Sequence, residues 1–486
     1  MQRPSLFATL LALSVATLSS CKKEPDVAPT PTSLTARAGA DQAVLPEQAV
    51  SLDGSASTGS GTLAYQWTVV RKPQRSTLTL GGASTPKATF TPDIVGEYEL
   101  ELTVSSGAAK SQDRVVVRAE QTGPITLSNE VKTQTRLKDR LIDPAQPDYI
   151  VSRDLAISAE LSIDPGVTVA FERNTAIQLK YEGTLIAEGT ADSQIRFTGV
   201  KPEKGFWAGI ANYSPSTANK LAFVQIQYAG SRGLLSSTKA GLSLFGPNKA
   251  LMTLADCQLN DTDGYGLYVQ EGSVLRNFAR NSFRNNAEAG VIIDAYNAAL
   301  LDAASSFTGG NTRNVVEVLA SAIRGNADLT WVALADKTPY RLLGNLAVEA
   351  GWTLKPGVTV ELSRDAIINV NRDGYISAKG TADQRITFTG SATGSGHWKG
   401  IMIYSVSNLN TLEQVDISGA GSSVMASGKR AAVGVFGAGA KLTIKNCRIT
   451  NSGGYGIAHT PNAEINSDAG TLNTFSGNAQ GNVAQF

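Results

Sequence analysis

Few side chains in this 486-residue chain could do chemistry, and they are scattered. There are two histidines, His397 and His459, and three cysteines, Cys21, Cys257 and Cys447. Neither His has an acidic partner close in sequence, so neither forms a ready acid–base or His-rich metal site. Carboxylates are densest at Asp256, Asp261 and Asp263. Such a patch could hold a cation or act in glycan cleavage. A solvated turn would read the same way. No two Asp are adjacent anywhere in the chain. The other candidates are aromatic pairs: Trp207 with Trp398, Tyr213 with Tyr404, and Tyr265 with Tyr455. Exposed rings stack on sugar faces, although recurrence in a repeated scaffold also reads as packing. No phosphate loop, nucleophile elbow or CxxC pattern stands in the repeated part, so no cofactor and no metal is expected.

Composition narrows the partners. The chain has 43 Lys+Arg against 42 Asp+Glu, so no positive field is available for nucleic acid. Three cysteines cannot staple a chain of this length. With 42% apolar residues it is not a mostly disordered chain. Abundant Gly, balanced charge and short apolar runs together predict an all-β protein.

The first twenty residues read as an address. Arg3 precedes a short apolar run from Leu6 to Leu18, too short to anchor as a membrane span. The run ends in Leu18-Ser19-Ser20-Cys21, which resembles the lipobox of bacterial lipoproteins. That resemblance implies cleavage after Ser20 and a lipid on Cys21. Residues 21–35, with Pro25, Pro29 and Pro31, are an extended tether. The expected partner is therefore a membrane, and the expected location the outer membrane, with display on the cell surface.

From residue 36 to 119 short alternating runs are separated by Gly, Ser and Pro, which predicts a β-sandwich. Tyr98, Leu100, Leu102 and Val104 fall on one face at period two. Leu52-Asp53-Gly54-Ser55, Tyr65-x-Trp67, Phe90-x-Pro92 and Gly96-x-Tyr98 resemble the PKD type of immunoglobulin-like domain. Val69-Val70-Arg71-Lys72-Pro73 departs from the acidic Gly-rich loop usual there. Trp67 is expected in the sandwich core, with sugar stacking as the other reading.

The rest of the chain repeats itself. Pro165-Gly166-Val167-Thr168-Val169 recurs 191 residues later as Pro356-Gly357-Val358-Thr359-Val360. Trp207-x-Gly209-Ile210 recurs as Trp398-x-Gly400-Ile401, and Cys257 as Cys447. Phe307-Thr308-Gly309 matches Phe475-Ser476-Gly477 at a shorter offset, which suggests a lost coil of about 22 residues. Strands this short need stacking, coil on coil, to bury their apolar face. The copies are expected over 126–318 and 319–486. The repeated signatures resemble the right-handed parallel β-helix of bacterial surface proteins, a fold shared with pectate lyases and polygalacturonases. A β-propeller fits less well, because the unit is too short for a blade.

Two consequences follow for function. Cys257 and Cys447 are about eight coils apart, or ~40 Å at ~4.8 Å per coil, so they are expected as buried free thiols. Two copies of about eight coils would give a rod of ~70–80 Å presenting a wide face. The expected function is a non-catalytic binding or adhesion scaffold engaging a polysaccharide or surface protein. The rival is a β-helix polysaccharide lyase or glycoside hydrolase.

Overall fold

The computed structural model describes residues 33–486 except 121, 122, 142, 144, 236, 247, 248, 326 and 327. The expected leader over 1–20, the expected lipid site at Cys21 and most of the expected tether lie outside the described residues. The chain is almost wholly β, in a sandwich followed by a parallel solenoid.

In the sandwich, strands Gln42–Val44, Ala109–Ala119, Gly96–Ser106 and Ala64–Arg71 form one sheet in that order. Strands Val50–Asp53 and Lys87–Phe90 form the other. Alternation along Gly96–Ser106 sends Tyr98, Leu100, Leu102 and Val104 inward, where all are fully buried. Trp67 is 1% exposed in this core, which removes the sugar-stacking reading. Gly54 is required where it stands, since a Cβ there would lie 2.6 Å from Leu102 Cδ2. The Tyr98 hydroxyl accepts from the Ile94 amide at 3.2 Å and ties down the turn before its strand.

The solenoid has three faces, and every strand in it pairs in parallel with the next coil. The second face is one continuous sheet of 14 strands, from Glu130–Val131 to Thr474–Ser476. The first face begins as seven strands from Ile125–Thr126 to Ser282–Arg284. The third begins as six strands from Thr135–Leu137 to Val274–Ala279. A short helix, Ala295–Ala298, caps this third sheet: Asn297 Oδ1 accepts from the Leu275 amide at 2.9 Å. New sheets then start at Ser321–Ile323 and Leu329–Trp331 on either side of the continuous one. One apolar core runs unbroken from Val131 to Ala469 through both copies.

Following the sheets corrects three expectations. First, fourteen strands on the second face at ~4.8 Å give a rod of roughly 60 Å, with about seven coils per copy. Second, Thr474–Ser476 pairs with Arg448–Thr450 just as Ser282–Arg284 pairs with Gln258–Asn260. Phe475 therefore stands where Phe283 stands, and no coil was deleted between them. Third, the copies are not in line. Thr168–Phe171 lies on the first face, but its repeat Thr359–Leu362 lies on the second. Gly209–Asn212 lies on the second face, and its repeat Gly400–Ile403 on the next one round. The second copy is turned by one face about the axis, so equivalent residues do not form one wide surface.

Candidate functional site

Trp207 and Trp398 each stand two residues before equivalent strands, and both are fully buried. Each indole Nε1 donates to a backbone carbonyl inside the solenoid, Gln227 at 2.7 Å and Ser418 at 2.8 Å. They plug corners of the core, and the expectation of ligand-binding rings is withdrawn for both. Tyr213 and Tyr404 differ. Each follows the last residue of its strand, outside the main core, where a side chain lies on the outer surface. Tyr213 is half-buried and Tyr404 is 37% exposed. On the next coil Phe245 and Phe436 occupy the same place. Tyr213 stacks on Phe245 with centroids 5.5 Å apart, and Tyr404 meets Phe436 at 6.5 Å. In the first copy Tyr268 extends the strip, 5.6 Å from Phe245. Burial holds the Tyr213 and Tyr268 hydroxyls protonated to higher pH than usual.

The three acids do not converge, so the acidic patch is not a single site. Asp256 is clasped by the Arg280 guanidinium at 2.7 and 2.6 Å. Asp261 accepts from Asn285. Both Asp256 and Asp261 sit in left-handed backbone at φ 55°, as do their repeats Asn446 and Asn451 at 56° and 55°. Short polar side chains tolerate that conformation, which explains the Asp-to-Asn exchange as corner chemistry. Asp263 lies elsewhere, in a groove of about 400 Å³ at the start of the second-face strands.

Lys239 and Glu288, which sequence reasoning missed, line this groove with Asp263, and Arg313 and Glu317 back it through Glu288 and Tyr265. Lys239 pairs with Asp263 at 2.7 Å. Arg313 bridges Glu288 and Glu317, the latter at 2.6 Å. Glu317 is buried, and it also accepts from the Tyr265 hydroxyl at 2.7 Å. Burial, then the Glu317 carboxylate, pushes the Tyr265 hydroxyl well up. Hydrogen bonding to Glu317 raises the Arg313 guanidinium further. The signal was available as a period: Lys239, Asp263, Glu288 and Arg313 follow at coil-length intervals of 24, 25 and 25 residues. The second copy has Arg430, Gly453 and Gln480 where Lys239, Asp263 and Glu288 stand, so it keeps the cation but loses both acids. Among the described residues, no group of three or more His, Cys, Asp and Glu is placed to hold a metal ion.

The histidines stand apart. His397 is 8% exposed, with Nε2 3.1 Å from Ser391 Oγ, and replaces the Phe206 of the first copy. His459 Nδ1 lies 3.1 Å from the Thr460 carbonyl. The sandwich joins the solenoid through ion pairs of Arg75 with Asp139 and Lys138 with Glu47. No helix among the described residues is long and apolar enough to cross a membrane.

Comparisons with known proteins divide the chain the same way. The family model for the K319L-like PKD domain matches residues 38–118. That for a pectate-lyase-like β-helix domain matches residues 326–454. Among solved structures, the PKD domain from KIAA 1837 protein is 33% identical over 20% of this chain and 97% of its own, with TM-score 0.18. The PKD domain from human KIAA0319 is 22% identical over 21% of this chain and 96% of its own, with TM-score 0.17. A nucleoside hydrolase-related hypothetical protein from Saccharophagus degradans, associated with carbohydrate metabolism, is 21% identical, with TM-score 0.15. It covers 16% of this chain, which spans 22% of its length. No curated protein matches the chain. By these matches and its strand pairing, the chain carries a PKD-like domain followed by a pectate-lyase-like parallel β-helix domain.

Proposed function

We propose that this protein is a non-catalytic carbohydrate-binding scaffold of the cell envelope, tethered to the outer membrane by a lipid on Cys21. One observation carries the binding reading. Each copy keeps an outer tyrosine-on-phenylalanine step, Tyr213 on Phe245 and Tyr404 on Phe436, while the charged residues around the copies diverge. A ring held against the sheet by a second ring is pre-ordered to stack on a sugar face, which lowers the entropy cost of binding. The PKD-like and pectate-lyase-like matches agree with a carbohydrate ligand, although fold alone does not assign one.

The lyase or hydrolase reading would need free carboxylates near a reacting sugar. In the charged groove each carboxylate is already engaged: Asp263 by Lys239, and Glu288 and Glu317 by Arg313. The deciding experiment is a glycan array on the purified protein, beside reducing-end and unsaturated-product assays on the same glycans. Binding without product, lost in Tyr213→Ala plus Tyr404→Ala, supports the scaffold. Cleavage abolished by Asp263→Ala and Glu288→Ala would establish the rival. For the anchor, Cys21→Ala should release the protein from the membrane fraction.

A further inference from the structure

We infer that the two aromatic steps are two independent binding sites that engage separate glycan chains, so that the protein cross-links them. This rests on the carbohydrate reading above and adds its geometry. Tyr213 follows a strand of the second face, whereas Tyr404 follows a strand of the next face round. About seven coils separate them along the axis, or ~35 Å at ~4.8 Å per coil. A chain lying on the first step and running along the rod stays on its own face. To reach the second step it would have to turn a corner of the solenoid.

The surroundings agree. The first step continues along the axis to Tyr268, and the Phe245 ring between the two tyrosines is 1% exposed, so Tyr213 and Tyr268 are its rings open to a ligand. The second step is closed on its far side. There Ala458 replaces Tyr268, and Phe436 packs with Ala431, Met402 and Met425. Met425 and Phe436 both lie over Gly434, where an added Cβ would be 2.9 and 2.3 Å from them. Phe436, like Phe245, is 1% exposed, so each step meets a ligand through its tyrosines, Tyr213 and Tyr268 in the first and Tyr404 in the second.

The test uses the purified protein with oligogalacturonides and xylo-oligosaccharides shorter than the ~35 Å between sites, and with the parent polymers. Calorimetry of the bound short probe should give two sites per protein, falling to one in Tyr213→Ala and one in Tyr404→Ala. Tyr213→Phe and Tyr404→Phe, which keep the ring, should retain both. The polymer should form a light-scattering network with the parent protein and not with either alanine variant. One site per protein would overturn the inference while leaving the carbohydrate reading intact. So would a gain of more than about tenfold in affinity for the polymer without scattering, because one chain would then span both steps. If no array glycan binds, the carbohydrate reading falls and this inference with it.

Discussion

The indole of Trp207 lies almost flat on the ring of Phe171, with centroids 4.0 Å apart and planes 12° from parallel. In the second copy Leu362 takes the place of Phe171, so Trp398 keeps its carbonyl bond but loses this partner. Truncating a large buried ring leaves a cavity that a stacked β-coil cannot close. Trp207→Ala and Trp398→Ala should each cost about 3–5 kcal/mol in denaturant unfolding. Tyr404→Ala, at the partly exposed step, should cost less than about 1.5 kcal/mol, which separates core plug from surface ring.

Cys257 and Cys447 are both buried and free, and both donate weakly to backbone carbonyls. Burial pushes the Cys257 thiol up to about 12 and the Cys447 thiol up to about 11. Each folded value lies above the unfolded value of about 9, so the folded state holds its thiol protons more tightly. Their contribution is fully present below pH 9 and is lost as pH rises toward 11 and 12. Cys257→Ala should flatten that alkaline decline in unfolding free energy. Thiol reagents should label both cysteines only at the rate of unfolding, and faster labelling of the native protein would contradict the burial.

How much could be read beforehand follows from what repeats. Period two along Gly96–Ser106 showed which side chains face the sandwich core, and the interval from Pro165 to Pro356 showed the duplication. The turn of the second copy was not legible, because every face shows the same in–out alternation. Its placement depends on accumulated corner lengths. On the second face coils run from 19 residues, between Tyr340 and Thr359, to 33, between Ala176 and Gly209. Likewise Phe475 resembles both Phe283 and Phe307, since neighbouring coils resemble each other as closely as the copies do. Only pairing of Thr474–Ser476 with Arg448–Thr450 decides between them. Within the site, Asp263 stood out in a local cluster, whereas its partners Lys239 and Glu288 lie a coil away on either side.

Asp93 sits at the turn that leads into the Tyr98 strand. Burial alone would raise its carboxyl. Hydrogen bonds from the Ser76 hydroxyl, the Thr77 amide and hydroxyl, and the Tyr98 hydroxyl outweigh it and hold the group at about 2. A depressed acid contributes stability above its unfolded value of 3.8 and loses it as pH falls toward 2. Between pH 4 and pH 2 amide protection factors along Gly96–Ser106 should fall. Asp93→Asn should exchange faster at neutral pH and show a shallower acid dependence. An unchanged acid profile in the variant would assign the sensitivity to another group.

Glu317 and Arg313 provide the sharpest test of the charged groove. The Glu317 side chain is 3% exposed, and its carboxylate is held by Arg313 Nε at 2.6 Å and by the Tyr265 hydroxyl at 2.7 Å. Arg341, in register with Glu317 on the following strand, is engaged by Glu361 at 2.6 Å and does not replace Arg313. Removing Arg313 alone leaves a buried carboxylate with one neutral donor, a loss of about 3 kcal/mol for Arg313→Met. Removing both charges with apolar groups of similar size deletes the desolvation penalty along with the attraction. Arg313→Met with Glu317→Leu should therefore recover most of that loss, giving a coupling of about 2 kcal/mol in a double-mutant cycle. Strictly additive single effects would mean that the pair does not act as a unit. The same variants report on ligand binding. The groove lies at the start of the second-face strands and Tyr213 follows the end of one, so Arg313→Met should lower stability while glycan affinity at both aromatic steps is kept.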